Sequence, residues 1–306
     1  AFAVTGRLRN SSSVMESPHA VLSWEELETG GSSGPAAAAF CEQLHARGFS
    51  ILRMPDSLAA DIEELRHEAG GFFALPPEAK QEVGDFRRVA DTYVGYRNNI
   101  DCDSEFLELH MTPQGGAFPE HPIAPTLAVL SVAVHARMAA MARLLLTHLA
   151  LGLGVPPEAL LDPLDPPSAA QLPEGGLSSS VLRVCHYRPR EAVGKPTPPD
   201  AGEDEVLFDE HTDSSFLTLS PLCPAAPGLQ LRDSDASWIR VEEGVDASQL
   251  HVEVISPSRP HPPPLIPSPL LTPTPASTHP LAAPHAHIRL HSSPRRSSRP
   301  HPPPLI

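Results

Sequence analysis

Cysteine and positive charge are scarce in this chain, and several signatures are missing outright. Four cysteines (Cys41, Cys102, Cys185, Cys223) stand far apart among 306 residues, with no Cys-x-x-Cys. Such spacing argues against a disulfide framework or a structural zinc site and suits a reducing compartment, so a cytoplasmic location is expected. Twenty-two basic residues face 37 acidic ones, for a formal charge of -15 and a pI near 5.4. A surface this acidic repels phosphate backbones and anionic lipid, so neither nucleic acid nor a membrane surface is an expected partner. No apolar run is expected to span a bilayer, because the most apolar stretch, near residues 127–153, is interrupted by His135, Arg137, Arg143 and His148. Neither a Gly-x-Gly-x-x-Gly dinucleotide fingerprint nor a phosphate P-loop occurs. The length allows one large domain or two small ones.

Glycine and aromatic residues also vanish abruptly. None occurs from His251 to Ile306, where 16 of the 38 prolines and five arginines gather against Glu253 alone. Proline lacks the backbone donor and fixes φ, so a regular sheet or long helix is not expected there. The string SRPHPPPLI stands twice, at Ser258–Ile266 and Ser298–Ile306. It is too short for a solenoid repeat and marks low complexity. Residues 1–19 read as a disordered leader and 255–306 as a Pro/His/Ser/Arg-rich tail, with folded protein between.

Within that middle the punctuation is helical first. Pro35 can open a helix behind Gly34 and Gly48 can close it, with Ala37, Cys41 and Leu44 on one face. FSILR (Phe49–Arg53) reads as a strand. Asp56 or Ser57 is expected to cap a second helix with Leu58, Ile62 and Leu65 in register. Leu127, Leu130, Val134, Met138, Met141 and Leu145 form the stripe of a long third helix, ended by Gly152, Gly154, Pro156 and Pro157. Beyond residue 178 the pattern alternates. SVLRVCHY places Val181, Arg183, Cys185 and Tyr187 on one strand face and Leu182, Val184 and His186 on the other. FLTLS, GLQL and WIRV follow, the last two separated by Asp233-Ser234-Asp235 as a hairpin turn would be. Helices followed by antiparallel strands predict an α+β chain, with a β-sandwich or jelly roll carrying the site.

The residues that point to chemistry are His211-Thr212-Asp213. In a strand, residues i and i+2 share a face, so an imidazole and a carboxylate would converge. Nitrogen with hard oxygen suits Fe(II), and one more histidine would make the two-His-one-carboxylate triad with three open positions. The spacing alone also suits a surface pair, and His251-Val252-Glu253 is a related match of the kind chance supplies.

Several landmarks in order carry a resemblance: GFSILRMP, FFALPPEAK (Phe72–Lys80), Gly95-Tyr96, DSEFLELH (Asp103–His110), LRVCHY, then HTDSSFLTLS followed by GLQLRDSDASWIRVE. Together they are similar to the plant-type Fe(II)/2-oxoglutarate-dependent dioxygenases, the isopenicillin N synthase-like group. The resemblance divides the middle into an N-terminal-like region at 20–125 and a partial jelly-roll region at 126–254. It implies that His211 and Asp213 ligate Fe(II), and that Tyr187 helps hold the C1 carboxylate region of the cosubstrate 2-oxoglutarate. It further implies that a small organic substrate is oxidised with release of succinate and CO2. Cys185 stands where the group often has Asn, and a thiol is the poorer hydrogen-bond partner.

The chain departs from the group after HVEV. The second iron histidine, and the Arg-x-Ser pair that grips the distal carboxylate of 2-oxoglutarate, have no recognisable counterpart, so the jelly roll is expected to be truncated and activity impaired. His285 and His287, upstream of Arg295-Arg296-Ser297, are only remote candidates, since no alternating apolar strand is evident around them. Other readings remain open at this stage. The tail segment RPHPPPLIPSP could adopt polyproline II and recruit an SH3- or WW-type partner to a non-catalytic dioxygenase-like domain. The histidine-rich tail could capture zinc or nickel. Gly30-Gly31-Ser32-Ser33-Gly34 satisfies the serine-hydrolase elbow pattern, yet the acidic SWEELETG before it is unlike a buried strand.

Overall fold

In the computed structural model the described residues are 20–84, 86–89, 92–99, 104–119, 124–188, 205–211, 213, 215–224, 228–232, 238–242, 245–254 and 288–292. The leader, Cys102, the 233–237 turn and His285 and His287 lie outside them, as does the tail apart from 288–292.

Glycine and proline set the first elements. Strand β1 (Val21–Ser23) runs into α1 (Trp24–Thr29), whose first turn is capped by Ser23 Oγ accepting from the Glu26 amide at 3.4 Å. Helix α2 (Pro35–Arg47) begins with Pro35 and stops at Gly48, whose φ of 84° lets its N–H reach back to the Leu44 carbonyl. Gly30–Gly34 is therefore a turn between two helices, exposed from Gly30 to Ser33, and Ser32 is not a nucleophile elbow, which needs a strand before it. Strand β2 (Phe49–Arg53) follows as expected. Helix α3 (Asp56–Phe73) buries Leu58, Ile62 and Leu65, but Pro55 occupies its N-cap position and no side-chain cap bond forms. Asp56 and Ser57 lie inside the first turn instead. Ser57 there accepts a bond from Arg137, so its oxygen is committed across the helix pair.

A short α4 (Pro77–Gln81) leads to β3 (Arg87–Val89), β4 (Thr92–Asn99), β5 (Ser104–Met111) and β6 (Ala117–Phe118). Helix α5 (Pro125–Gly152) is long and apolar enough, by length and composition, to cross a membrane, contrary to the sequence expectation. Here its stripe of Leu127, Val134, Met138, Met141 and Leu145 packs into the core, with Leu130 partly buried against it. Three of its polar residues are engaged within the protein. Arg137 pairs with Asp61, Arg143 donates to the Asp165 carbonyl, and His148 meets the Leu27 carbonyl at 3.1 Å. Gly152 marks the close crossing with α2, where an added Cβ would stand 2.6 Å from Cys41 Sγ.

After α6 (Glu158–Leu161) and a 3-10 turn at Ala169–Gln171, the described elements are strands: β7 (Leu182–Tyr187), β8 (Glu205–His211), β9 (Leu217–Pro221), β10 (Leu229–Arg232), β11 (Trp238–Arg240), β12 (Gln249–Val254) and β13 (Ile288–Ser292). Three sheets result, ordered β1-β2-β12-β9, then β11-β10-β13-β8, then β3-β4-β5-β6 with β7 beside β5. The fold is α+β, with the expected β10–β11 hairpin and the antiparallel sheets of a jelly roll. Strand β13 is a departure from the expectation that prolines keep the tail out of any sheet. It falls in the gap between Pro284 and Pro294, where every backbone donor is present. It fills the place between β10 and β8, setting Ile288 opposite His211.

One cation ties the helical layer to these sheets. Arg66, buried on α3, donates to the carbonyls of Pro221 and Leu222 at 3.1 and 3.0 Å, at the end of β9. Replacing Arg66 by alanine leaves both carbonyls without that partner. Stability should fall by about 3 kcal/mol, read as a lower urea midpoint with unchanged slope.

Candidate metal centre and the wall beside it

Tyr187 is placed by both faces of its strand. β7 lies antiparallel to β5, pairing Tyr187 with Ser104, His186 with Glu105 and Cys185 with Phe106. Alternation then sends Tyr187 and Cys185 to one side and His186 to the other, as the sequence pattern implied. All three are buried. The entry to the strand is fixed by Asp165, whose carboxylate accepts from the Ser179 and Ser180 amides at 2.6 and 2.7 Å. Burial would raise the Asp165 pKa, but these bonds outweigh it and hold the carboxylate below its ordinary range.

On the helix side of β7 a polar network replaces apolar packing. Glu105 Oε2 accepts from Lys80 Nζ at 2.6 Å and from the Tyr96 hydroxyl, while Oε1 meets His186 Nδ1 at 2.8 Å. Lys80 also donates to the Phe73 carbonyl at 3.0 Å. Burial alone would push the Glu105 carboxyl up. The bonds from His186, Lys80 and Tyr96, with the lysine charge, overcome it and hold the group at about 2. Tyr96 is raised, first by burial and then by its bond to that carboxylate. The FFALPPEAK and DSEFLELH landmarks thus meet through Lys80 and Glu105, and what they support is the strand bearing Tyr187.

On the other side, Tyr187 and Cys185 stand two residues apart on one face of the strand. Burial raises both groups, and the thiol and hydroxyl also affect one another. Asp213 lies close enough for its charge to act on the Tyr187 hydroxyl. Residues from separate segments of the β region are therefore brought together.

The His-x-Asp segment itself differs from expectation. His211 is the last residue of β8, and Asp213 lies beyond the strand rather than at the start of one. Strand alternation therefore does not aim the pair; the His211 side chain and Thr212 are outside the described residues. Asp213 is oriented from β9 instead. Thr218 Oγ1 donates to its Oδ2 at 2.6 Å, and Ser215 Oγ lies 2.6 Å from the same threonine oxygen.

Strand β12 adds two groups to which the sequence pattern gives no weight. Glu253 pairs with Thr218 and His251 with Ser220, so both project on the face that carries the Asp213 contact. Glu253 is 4% exposed, and its Oε2 has no hydrogen-bond partner among the described residues. Burial first, then the charge of Asp213, raises its pKa to about 8. The available signal is a charged residue inside the apolar alternation of LHVEV. A third carboxylate, Glu242, shapes the adjoining loop by accepting from the Cys223, Gly228 and Leu229 amides at 3.0, 2.6 and 2.8 Å.

Imidazole and hard carboxylate oxygen are donors for a divalent cation such as Fe(II), and a dry, unpartnered carboxyl beside Asp213 fits one. Among the described residues, no three histidine, cysteine, aspartate or glutamate side chains are grouped to hold a metal. Arg295-Arg296-Ser297, the remote match to the cosubstrate clamp, also lies outside them. Cys41, Cys185 and Cys223 are free thiols.

No family model and no curated protein matches the chain. Solved structures do. A full-length Neurospora crassa protein in complex with alpha-KG superposes with a TM-score of 0.59 at 16% identity, over 94% of this chain and 83% of that one. The rice dioxygenase for auxin oxidation gives 0.58 at 17% identity, over 90% and 79%. JOX2 in complex with 2OG, Fe and JA gives 0.57 at 17%, over 90% and 70%. The chain has the α+β fold of these solved structures.

Proposed function

We propose that this chain is of the Fe(II)/2-oxoglutarate-dependent oxygenase lineage and oxidises a small organic substrate, with succinate and CO2 as the other products. The observation that carries this reading is that Asp213, held by Thr218, lies close enough for its charge to act on the buried Tyr187 hydroxyl, in the fold of the rice dioxygenase. The solved structures with alpha-KG, or with 2OG and Fe, support the choice of cofactor and cosubstrate. His211 and Asp213 would hold the iron, and Tyr187 would contact the cosubstrate. When bound, iron with 2-oxoglutarate supplies oxidising power drawn from molecular oxygen. The chain's own share is to orient. Thr218 fixes the Asp213 carboxylate through one of its oxygens. Tyr187, buried and protonated, offers a hydroxyl while excluding water. We also infer weak turnover, because the second iron histidine and the oxoglutarate arginine are not recognisable in the sequence, and a cytoplasmic location.

The test is anaerobic titration of the full chain with Fe(II) and 2-oxoglutarate, followed by succinate measurement under oxygen. Wild type should bind iron and release succinate slowly, and His211→Ala should do neither. Succinate release unchanged in His211→Ala would overturn the reading. Thr218→Val, which keeps the shape and removes the donor, should weaken iron binding by about tenfold. Its far-UV circular dichroism should stay that of wild type.

A further inference from the structure

Glu253 is chemically out of place unless something joins it. It sits on β12, between β2 and β9, and is 4% exposed. A buried carboxyl is ordinarily hydrogen-bonded, paired with a cation or bound to a metal, because losing water without compensation is costly. Glu253 Oε2 has no such partner among the described residues. The other buried carboxylates show the usual solution: Glu105 meets Lys80, Tyr96 and His186, Glu108 meets Arg183, and Glu242 collects three amides. What Glu253 has nearby is a second carboxylate. Its cross-strand partner Thr218 donates to Asp213, and register partners on an antiparallel pair share a face. A buried carboxylate and a half-buried one on the same face repel each other, and a divalent cation between them removes both the repulsion and the unmet desolvation of Glu253.

We propose that Glu253 is a further protein contact for the cation that Asp213 holds. This rests on the reading of His211 and Asp213 as metal ligands. It gives the buried Glu253 carboxyl the partner that its Oε2 lacks among the described residues. It also favours oxygen-loving ions, Mn(II) and Fe(II), over zinc.

The full chain, Glu253→Gln and Asp213→Asn are titrated with Mn(II), followed by electron paramagnetic resonance. Glu253→Gln should weaken Mn(II) binding by about tenfold or more. The metal-free form should at the same time melt at a higher temperature than wild type, since an unpaired buried carboxyl has been removed. Loss of binding in Asp213→Asn with wild-type affinity in Glu253→Gln would overturn the Glu253 assignment and leave the metal reading standing. Absence of binding in wild type would overturn both. Should Glu253→Gln fail to fold, wild-type crystals soaked with Mn(II) decide the matter. An anomalous peak within about 2.5 Å of carboxylate oxygens from both residues supports the assignment. A peak at Asp213 with Glu253 left dry and apart overturns it.

Discussion

Glu105→Ala should destabilise the protein by about 3–5 kcal/mol, the cost of leaving buried charges without their partner. The substitution strands the Lys80 ammonium, which is 8% exposed at its side chain and keeps only the Phe73 carbonyl. It also removes the acceptor shared by Tyr96 and His186. Three elements would lose their common anchor, namely α4 through Lys80, β4 through Tyr96 and β7 through His186. Because Tyr187 follows His186 on β7, the damage should reach the candidate site. Any protein that stays folded should bind 2-oxoglutarate more weakly than wild type. Chemical denaturation with circular dichroism checks the first effect, and equilibrium binding the second. A loss under about 1 kcal/mol would mean that the network contributes little.

The same network sets an acid response. Glu105 is held at about 2, against an ordinary value of 4.5. A carboxylate whose folded pKa is depressed contributes stability that is fully present above the unfolded value and lost as pH falls through the folded one. Stability should therefore decline between about pH 4.5 and pH 2, and Glu105→Gln should flatten that decline. Denaturation midpoints measured across that range provide the check.

Asp213→Ala should have the largest effect on binding. It removes the one described carboxylate that the His-x-Asp pattern, the Thr218 bond and the charge felt by Tyr187 all point to. Iron affinity should fall by about 100-fold or more, beyond the range expected when only a supporting partner is lost. Succinate release should cease. The fold should survive, because Asp213 is only half-buried and outside any strand. Anaerobic titration beside a thermal melt separates the two, and retained iron affinity would remove Asp213 from the centre.

How much of this is legible in the sequence depends on the range of the interaction. Helix α2 is legible because Pro35 and Gly48 act on their own backbone, and β7 because alternation is a property of neighbours in sequence. The α3 cap is not, since Ser57 could serve its own helix or Arg137, and only the packed α3–α5 pair decides between them. The charges on α5 argue in sequence against an unbroken apolar span. Arg137 and Arg143 in fact find partners 76 and 22 residues away. Proline density argues in the same way against any strand in the tail. Backbone donors between two prolines suffice for one short strand once an open edge is waiting, and that edge exists only after β8 and β10 are placed.

Three things were carried by residue order and residue chemistry: the succession of helices and strands, the landmarks of the resemblance, and the candidacy of His211, Asp213 and Tyr187. They follow from local geometry, which travels with the chain wherever it goes. Packing settled the rest, namely that Asp213 is oriented by Thr218, that Lys80 and Glu105 meet behind Tyr187, and that Glu253 is buried beside a second carboxylate. Each of these depends on strand register and on desolvation, and neither exists until distant segments have come together.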